Sequence, residues 1–142
     1  MGLTLNEHGY LERGLHRATL EEFRKRFSYN KVRRELLKNL ERVYGLAQAI
    51  GALRIYIGGS FVTAKKAPSD LDGILITPRQ FYAPSDEAMW LLKGSKKLFN
   101  IDLVVRPEDD DEEINWWLRF FGHDEDDNEK GLVEIPISSS QW

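Results

Sequence analysis

Apolar side chains recur at spacings of three and four between residues 32 and 50, and this pattern predicts an amphipathic helix. Asn30 is a good N-cap residue at one end of it, and Gly51 is a natural stop at the other. The apolar positions are Val32, Leu36, Leu37, Leu40, Val43, Tyr44, Ala47 and Ile50. The opposite face is more typical of a solvated surface than of a binding surface, and it carries Lys31, Arg33, Arg34, Lys38 and Arg42.

The chain before this helix has less pattern. Thr19 and Glu22 have the spacing of a capping box, in which each side chain satisfies the other residue's backbone N–H. A short helix should therefore run from this point to about Arg26. Residues 1–18 show no clear periodicity, and we interpret them as an irregular arm.

After residue 52 the apolar period becomes that of β-strands. Residues 53–57 alternate and are rich in strand-forming side chains, and they run directly into two glycines. Residues 71–77 (LDGILIT) and 98–105 (LFNIDLVV) read as two further strands. The last of these is apolar on both faces, which favours a central position in a sheet.

Helical signals return in the second half of the chain. The segment that starts at Pro84-Ser85-Asp86-Glu87 predicts a helix that stops at Gly94, and residues 114–121 predict a short aromatic helix. Residues 122–130 read as a polar turn, and residues 132–137 as an edge strand. With no internal repeat or linker, this order predicts one α/β (α+β) domain over residues 1–142, with a small mixed β-sheet flanked by helices.

Composition narrows the class of protein. The chain has 142 residues, no cysteine, 42% hydrophobic and 30% charged residues, which is ordinary for a folded domain without disulfides or thiolate metal sites. No apolar run approaches the roughly 20 residues that span a bilayer, and the N-terminus lacks a signal-peptide pattern. We therefore expect a cytoplasmic protein that does not enter a membrane.

Charge is divided unevenly along the chain. Residues 1–66 carry 13 Lys/Arg against 6 Asp/Glu, whereas residues 67–142 carry 7 against 17. A basic surface for an anionic partner beside an acidic metal site would produce this division. Attraction between the two halves within the fold would produce it equally well.

The first candidate chemistry follows the strand at residues 53–57. Gly59 lets the backbone turn sharply and approach a ligand closely, and Ser60 adds a hydroxyl donor, which together suit phosphate binding. A simple strand-ending turn is the alternative.

Asp70 and Asp72 are the second candidate. They lie two residues apart at a strand entrance and point the same way, and such a pair favours a hard cation such as magnesium between the carboxylates. Here a turn cap is the alternative.

Asp102 is the third acidic candidate. Asp is disfavoured in strands, yet Asp102 lies in the middle of the apolar segment 98–105. It is interpreted either as a metal ligand and general base that faces Asp70 and Asp72, or as one half of a salt bridge with Arg54 or Arg106.

Taken together, Gly59-Ser60, then Asp70-Leu71-Asp72, then a carboxylate on a later strand resemble the signature of the DNA polymerase beta-like nucleotidyltransferases. The segments 14–23, 59–63 and 130–135 further resemble an uncharacterised family of short prokaryotic or mobile-element proteins within that superfamily. The resemblance covers nearly the whole chain. It implies a nucleotidyltransferase-like fold and transfer of a nucleoside monophosphate from a nucleoside triphosphate to an acceptor.

The resemblance also assigns roles to residues. Gly59 and Ser60 would bind the distal phosphates, Asp70 and Asp72 would hold two Mg²⁺ or Mn²⁺ ions, and Asp102 would bind one ion and help to deprotonate the acceptor. RNA, a protein hydroxyl or a small molecule could be that acceptor. The chain has no second domain of the kind in which larger relatives bind the base, so a protein partner or a homodimer is expected to assist. An inactive binding or regulatory module, such as a toxin–antitoxin or phage-defence component, is the alternative.

Four further features are candidates for a functional role. Lys65, just past the Gly-Ser turn, is a candidate for neutralising the leaving pyrophosphate, with plain solubility as the commoner role. The acidic run 108–113 is interpreted as a solvated loop. The aromatic residues Trp116, Trp117, Phe120 and Phe121 are interpreted as core, with a partner surface as the alternative; Phe81, Tyr82 and Trp90 are further candidates for stacking on a base.

Overall fold

The structure, a computed structural model, describes residues 3–79 and 86–137. A single five-stranded mixed sheet organises this part of the chain. The elements in chain order are β1 (Leu15–Arg17), α1 (Leu20–Phe27), α2 (Lys31–Ala49), β2 (Arg54–Gly58), a 3₁₀ turn (Gly59–Val62), β3 (Leu71–Thr77), α3 (Asp86–Phe99), β4 (Ile101–Pro107), α4 (Asp111–Phe121) and β5 (Leu132–Pro136). The predicted mixed α/β class is thereby confirmed.

The strands lie in the order β1-β5-β2-β3-β4. Strands β3 and β4 are parallel, with α3 as the crossover between them, and β2 is antiparallel to both β3 and β5. Strand β1 pairs in parallel with β5. None of the helices in the described stretches is long and apolar enough to cross a membrane.

One face of the sheet carries the main hydrophobic core. Ile55 and Ile57 of β2, Leu71 and Leu75 of β3 and Val133 of β5 are fully buried in one cluster with side chains of α1 and α2. Because side chains alternate along a strand, Gly58, Asp72 and Asp102 belong to the opposite face. Helix α4 lies over that second face, since a Cβ atom on Gly58 would stand 2.6 Å from Cβ of Phe121.

The locally encoded elements agree with the sequence. The capping box of α1 is complete, with Glu22 N–H donating to Thr19 Oγ1 (3.1 Å) and Thr19 N–H donating to Glu22 Oε1 (2.8 Å). Asn30 caps α2 by accepting from Arg33 N–H at 2.9 Å. Strand β3 has the predicted bounds.

Residues 15–17 correct the interpretation of an irregular arm. They form β1, which pairs with β5 and so places β5 inside the sheet and not at its edge. Two of these three residues are exposed, so they show no apolar period, and their partner strand lies more than a hundred residues away. A pattern within a short window carries no information about such pairing.

Strand β4 corrects the second expectation, because it is an edge strand and not a central one. Apolar residues on both faces of a strand indicate that both faces are covered. A central position depends instead on a hydrogen-bonded strand along each edge, and among the described strands β4 has such a partner on one edge only. Leu103 and Val105 pack against the core, and residues 102–107 are only partly buried.

Two helices start or end differently from the sequence expectation. Helix α4 begins inside the acidic run, because Asp110 is its N-cap and acidic residues in a first turn interact favourably with the helix dipole. Helix α3 continues past Gly94, whose φ and ψ of 176° and 49° interrupt the helix without ending it. Its predicted start at Pro84-Ser85 lies outside the described residues, as do Phe81 and Tyr82.

Candidate functional site

Strand register brings the predicted acidic residues to one end of the sheet. Asp72 on β3 is in register with Asp102 on the parallel neighbour β4. On its other side Asp72 is in register with Gly58, the last residue of β2. Neighbouring strands are about 4.8 Å apart, so the two carboxylates stand side by side on one face.

Asp70 and Lys96 complete the group. Asp70 lies immediately before β3, close enough to Asp72 that its carboxylate contributes to the raised pKa of Asp72. Lys96 of α3 reaches over the end of the sheet, with Nζ 3.8 Å from Oδ2 of Asp70 and 3.6 Å from Oδ2 of Asp102. A single ammonium group therefore lies between two of the three carboxylates.

The electrostatics of this group centre on Asp72. Burial of its carboxyl is the main cause that raises the pKa of Asp72 from 3.8 to about 6, and the negative charges of Asp70 and Asp102 add to the rise. The positive charge of Lys96 opposes it. The site consequently holds more negative charge than the one lysine neutralises, and an added cation would be stabilised there.

Replacing Asp72 with Asn is expected to stabilise the metal-free protein above pH 6. The folded-state pKa of about 6 lies above the unfolded value of 3.8, so ionised Asp72 opposes folding. This cost is absent below pH 3.8, grows between pH 3.8 and 6, and is complete above pH 6. Because the side chain is partly exposed, we expect about 1–2 kcal/mol rather than the full value of the shift.

Urea unfolding in the presence of a chelator, at pH 4 and at pH 7.5, measures this effect. The gap between wild type and Asp72→Asn should be larger at pH 7.5. A gap of the same size at both pH values would contradict the raised pKa.

The Gly-Ser turn lies directly against Asp72. Gly59 has a φ of +70°, and a Cβ atom on it would stand 2.8 Å from Oδ2 of Asp72. The backbone conformation thus favours glycine, and a side chain here would displace the Asp72 carboxylate. Ser60 follows in the 3₁₀ turn, where its carbonyl accepts from Thr63 N–H at 3.2 Å.

Arg33 holds the segment that follows this turn. It is fully buried and donates to three backbone carbonyls, those of Phe61, Thr63 and Lys65, each at 2.7 Å. Its guanidinium also lies 4.4 Å from the ring centroid of Tyr29. Arg33 therefore fixes the chain just beyond Gly59-Ser60.

The expectation that Arg33 is solvated is wrong, and the sequence contained a signal against it. Arg33 precedes Leu36 and Leu37 by three and four residues, which places it on the apolar stripe of α2. Val32, assigned to that stripe, is 45% exposed instead.

The structure also shows the ion-pair partner of Asp102 and the position of Lys65. Arg54 pairs with Glu134 (3.8 Å) and Arg106 with Glu113 (3.0 Å), so the ion pair of Asp102 is with Lys96 and not with either arginine. Lys65 is exposed and does not line the cleft that Gly59 and Asp72 share.

That cleft has a volume of about 610 Å³ and extends from Gly59 and Asp72 to α4 and the turn after it. Lys130, at the end of the turn, lines it and is half-buried; burial lowers the pKa of Lys130, while the negative charges of Asp124 and Asp72 oppose the change. Lys130 was not among the candidate residues, because it lies at the end of a polar segment without periodicity.

The chemistry of the donors suits a hard divalent cation, since all three candidates offer carboxylate oxygens. As the side chains stand, no three His, Cys, Asp or Glu residues within 3–79 and 86–137 converge to hold a metal ion. Asp70 and Asp102 contact Lys96 instead. The Lys96 side chain is 61% exposed, so its departure into solvent would leave both carboxylates available.

Comparison with known proteins gives one match. The family model described as "Family of unknown function (DUF6932)" matches residues 3–136, which include all the candidate residues above. No curated protein and no solved structure matches the chain. The function must therefore be inferred from the geometry of the site.

Proposed function

We propose that this chain, which belongs to the DUF6932 family of unknown function, is a metal-dependent nucleotidyltransferase. It would transfer a nucleoside monophosphate from a nucleoside triphosphate to an acceptor hydroxyl. The observation that carries the proposal is the register of Gly58, Asp72 and Asp102 on three adjacent strands. That register supports the resemblance to DNA polymerase beta-like nucleotidyltransferases, because it makes the three separated motifs one site.

Each residue has a distinct part in the proposed reaction. Asp70 and Asp72 would hold Mg²⁺ or Mn²⁺, and the metal would neutralise charge on the attacking and leaving oxygens. Asp102 would accept the proton of the acceptor hydroxyl, whose oxygen bonds to the α-phosphorus as the bond to the pyrophosphate breaks. Gly59 and Ser60 would let the backbone approach the distal phosphates.

The acceptor in this proposal is a compound with a free hydroxyl group, which can be RNA, a protein or a small molecule. The cytoplasm, which supplies Mg²⁺ and nucleoside triphosphates together, is the compartment in which we propose that the reaction runs. A protein partner or a second copy of the chain would help to hold the acceptor, which larger relatives bind with a second domain.

One observation favours the second candidate, an inactive binding or regulatory module. Lys96 already forms ion pairs with Asp70 and Asp102, so the acidic group can serve as a structural salt-bridge network. In that case the carboxylates need no metal. The two candidates therefore differ in what Lys96 does.

Replacing Lys96 with Met separates them. If the ammonium competes with a metal ion for the carboxylates, the variant should bind Mn²⁺ about 1.5- to 5-fold more tightly than wild type, which corresponds to the modest energy of an exposed ion pair. Electron paramagnetic resonance of free Mn²⁺ measures this affinity. Lys97→Met is the matched control, because Lys97 is the exposed neighbour in sequence.

The inactive module predicts a different result. Neither wild type nor Lys96→Met would bind Mn²⁺, and the loss of the ion pairs would lower the free energy of unfolding. That combination of outcomes would reject the proposed enzyme.

A further inference from the structure

Helix α4 exposes a pair of stacked aromatic rings. The rings of Trp116 and Phe120 are nearly parallel, with an interplanar angle of 6° and centroids 5.5 Å apart. Their exposed fractions are 49% and 57%, so the expectation that they belong to the core is wrong. Large apolar side chains exposed side by side indicate a surface that contacts something else.

Two neighbouring aromatic residues hold this surface in place. Trp117 meets both rings edge-on, at 4.9 Å from Trp116 and 5.7 Å from Phe120. Phe121 anchors the end of the helix against Gly58, where no side chain would fit. The Trp116–Phe120 pair is therefore set in position before any ligand arrives.

The pair lines the same cleft as the acidic site. Trp116 and Phe120 of α4 line the same volume of about 610 Å³ as Gly59 and Asp72. A ligand that occupies this cleft can therefore contact both Asp72 and the aromatic rings.

The proposed metal site gives the ligand a direction. The turn after α4 lines the cleft with Asp124, Glu125 and Asp127, and Tyr10 Oη fixes Asp124 by donating to it at 2.7 Å. Arg119 and Lys130 line the same cleft, so these side chains carry both signs of charge. The cation that Asp70 and Asp72 would hold beside Gly59 is what attracts phosphates to that end. The phosphate end of a nucleotide therefore belongs at Gly59, and the base belongs beside α4.

From this arrangement we propose that the Trp116–Phe120 pair is a stacking platform for a nucleobase. The inference rests on the proposed function and deepens it, because it assigns within this small chain the base contact that larger relatives make with a separate domain. Aromatic side chains stack on the face of any base, so the platform tolerates different nucleotides.

Titrations with two kinds of ligand test the platform. The affinities of ATP, CTP, GTP and UTP, and of inorganic tripolyphosphate, are measured with Mg²⁺ for wild type, Trp116→Ala and Phe120→Ala. We expect the nucleotides to bind about 5- to 150-fold more weakly to the alanine variants, which is the range for losing one stacked base. Tripolyphosphate, which has no base, should bind all three proteins equally.

Two further variants separate stacking from a structural role. Trp116→Phe keeps an aromatic face and should restore most of the nucleotide affinity. Leu98→Ala removes an apolar side chain that is also 49% exposed but lies outside the cleft, and it should leave every affinity unchanged. A short single-stranded RNA is titrated as well. If only its affinity falls in the alanine variants, the stacked base belongs to the acceptor and not to the donor.

Other outcomes overturn the inference. If nucleotides, tripolyphosphate and RNA bind wild type and both alanine variants equally, the platform does not exist although the metal–phosphate site does. If the alanine substitutions convert a wild-type dimer to a monomer in sedimentation and leave the affinities unchanged, the aromatic pair is a protein interface. If wild type binds neither nucleotides nor tripolyphosphate, the proposed function fails, and the platform fails with it.

Discussion

Replacing Asp102 with Asn is expected to slow nucleotidyl transfer by about 10²- to 10⁴-fold, the range that a positioned general base contributes. The substitution keeps the size of the side chain but removes both its charge and its ability to accept a proton from the acceptor. Asp70 and Asp72 remain, so binding of the metal–nucleotide complex should weaken much less than the reaction rate. The side chain of Asp102 is 45% exposed, and the fold should therefore tolerate the change.

Pyrophosphate release from each nucleoside triphosphate measures this effect, with RNA, protein and small hydroxyl compounds supplied in turn as acceptors. Asp111→Asn is the matched control, because it removes an exposed carboxylate in the first turn of α4 and touches nothing in the site. An equal rate for wild type and Asp102→Asn would show that Asp102 takes no part in the reaction.

Replacing Arg33 with Met is expected to lower the free energy of unfolding by about 3–5 kcal/mol. The variant removes the Arg33 donors from the carbonyls of Phe61, Thr63 and Lys65. The Thr63 carbonyl still accepts from Tyr29 Oη at 2.8 Å, so two carbonyls lose their donor, at about 1–3 kcal/mol each. A domain of this size has a total free energy of unfolding of about 5–15 kcal/mol, so the variant would keep only a small part of its stability.

Urea unfolding compares this variant with Arg34→Met, which removes an exposed arginine from the next position of the same helix. The control should unfold within about 0.5 kcal/mol of wild type. Arg33→Lys keeps the charge with fewer donors and should lie between the two. If Arg33→Met matched the control, the carbonyl contacts of Arg33 would contribute nothing to stability.

The elements that the sequence predicted well are those encoded within a few residues. Thr19 and Glu22 meet three positions apart, and Asn30 caps the helix that it immediately precedes. The pairing of β1 with β5 joins segments at opposite ends of the chain, and no local pattern reports it. The same limit explains why β4 was expected in the centre of the sheet.

The candidate site could be predicted in part for the same reason. The period of a strand places Asp70 and Asp72 together, whereas the register that sets Asp102 beside Asp72 is a tertiary property. The contact of Lys96 with two carboxylates arises because α3 crosses over the end of the sheet, and nothing in the sequence near Lys96 indicates it.

Arg33 and the aromatic residues of α4 show a different limit. The charge of Arg33 suggested solvent, although its position on the apolar stripe indicated burial. The aromatic character of Trp116 and Phe120 suggested burial, although both are exposed. In both cases the residue type predicted the wrong degree of burial, because burial is set by the position of the residue in the fold.

The most direct test of the metal–nucleotide site is a calorimetric titration of ATP, CTP, GTP and UTP, with and without Mg²⁺, into wild type and the double variant Asp70→Ala/Asp72→Ala. The account predicts that at least one nucleotide binds wild type in a magnesium-dependent manner and that the double variant loses this binding. If none of the four binds wild type under either condition, or if the double variant binds as well as wild type, the site that Gly59, Asp70, Asp72 and Asp102 form is not a nucleotidyltransferase centre.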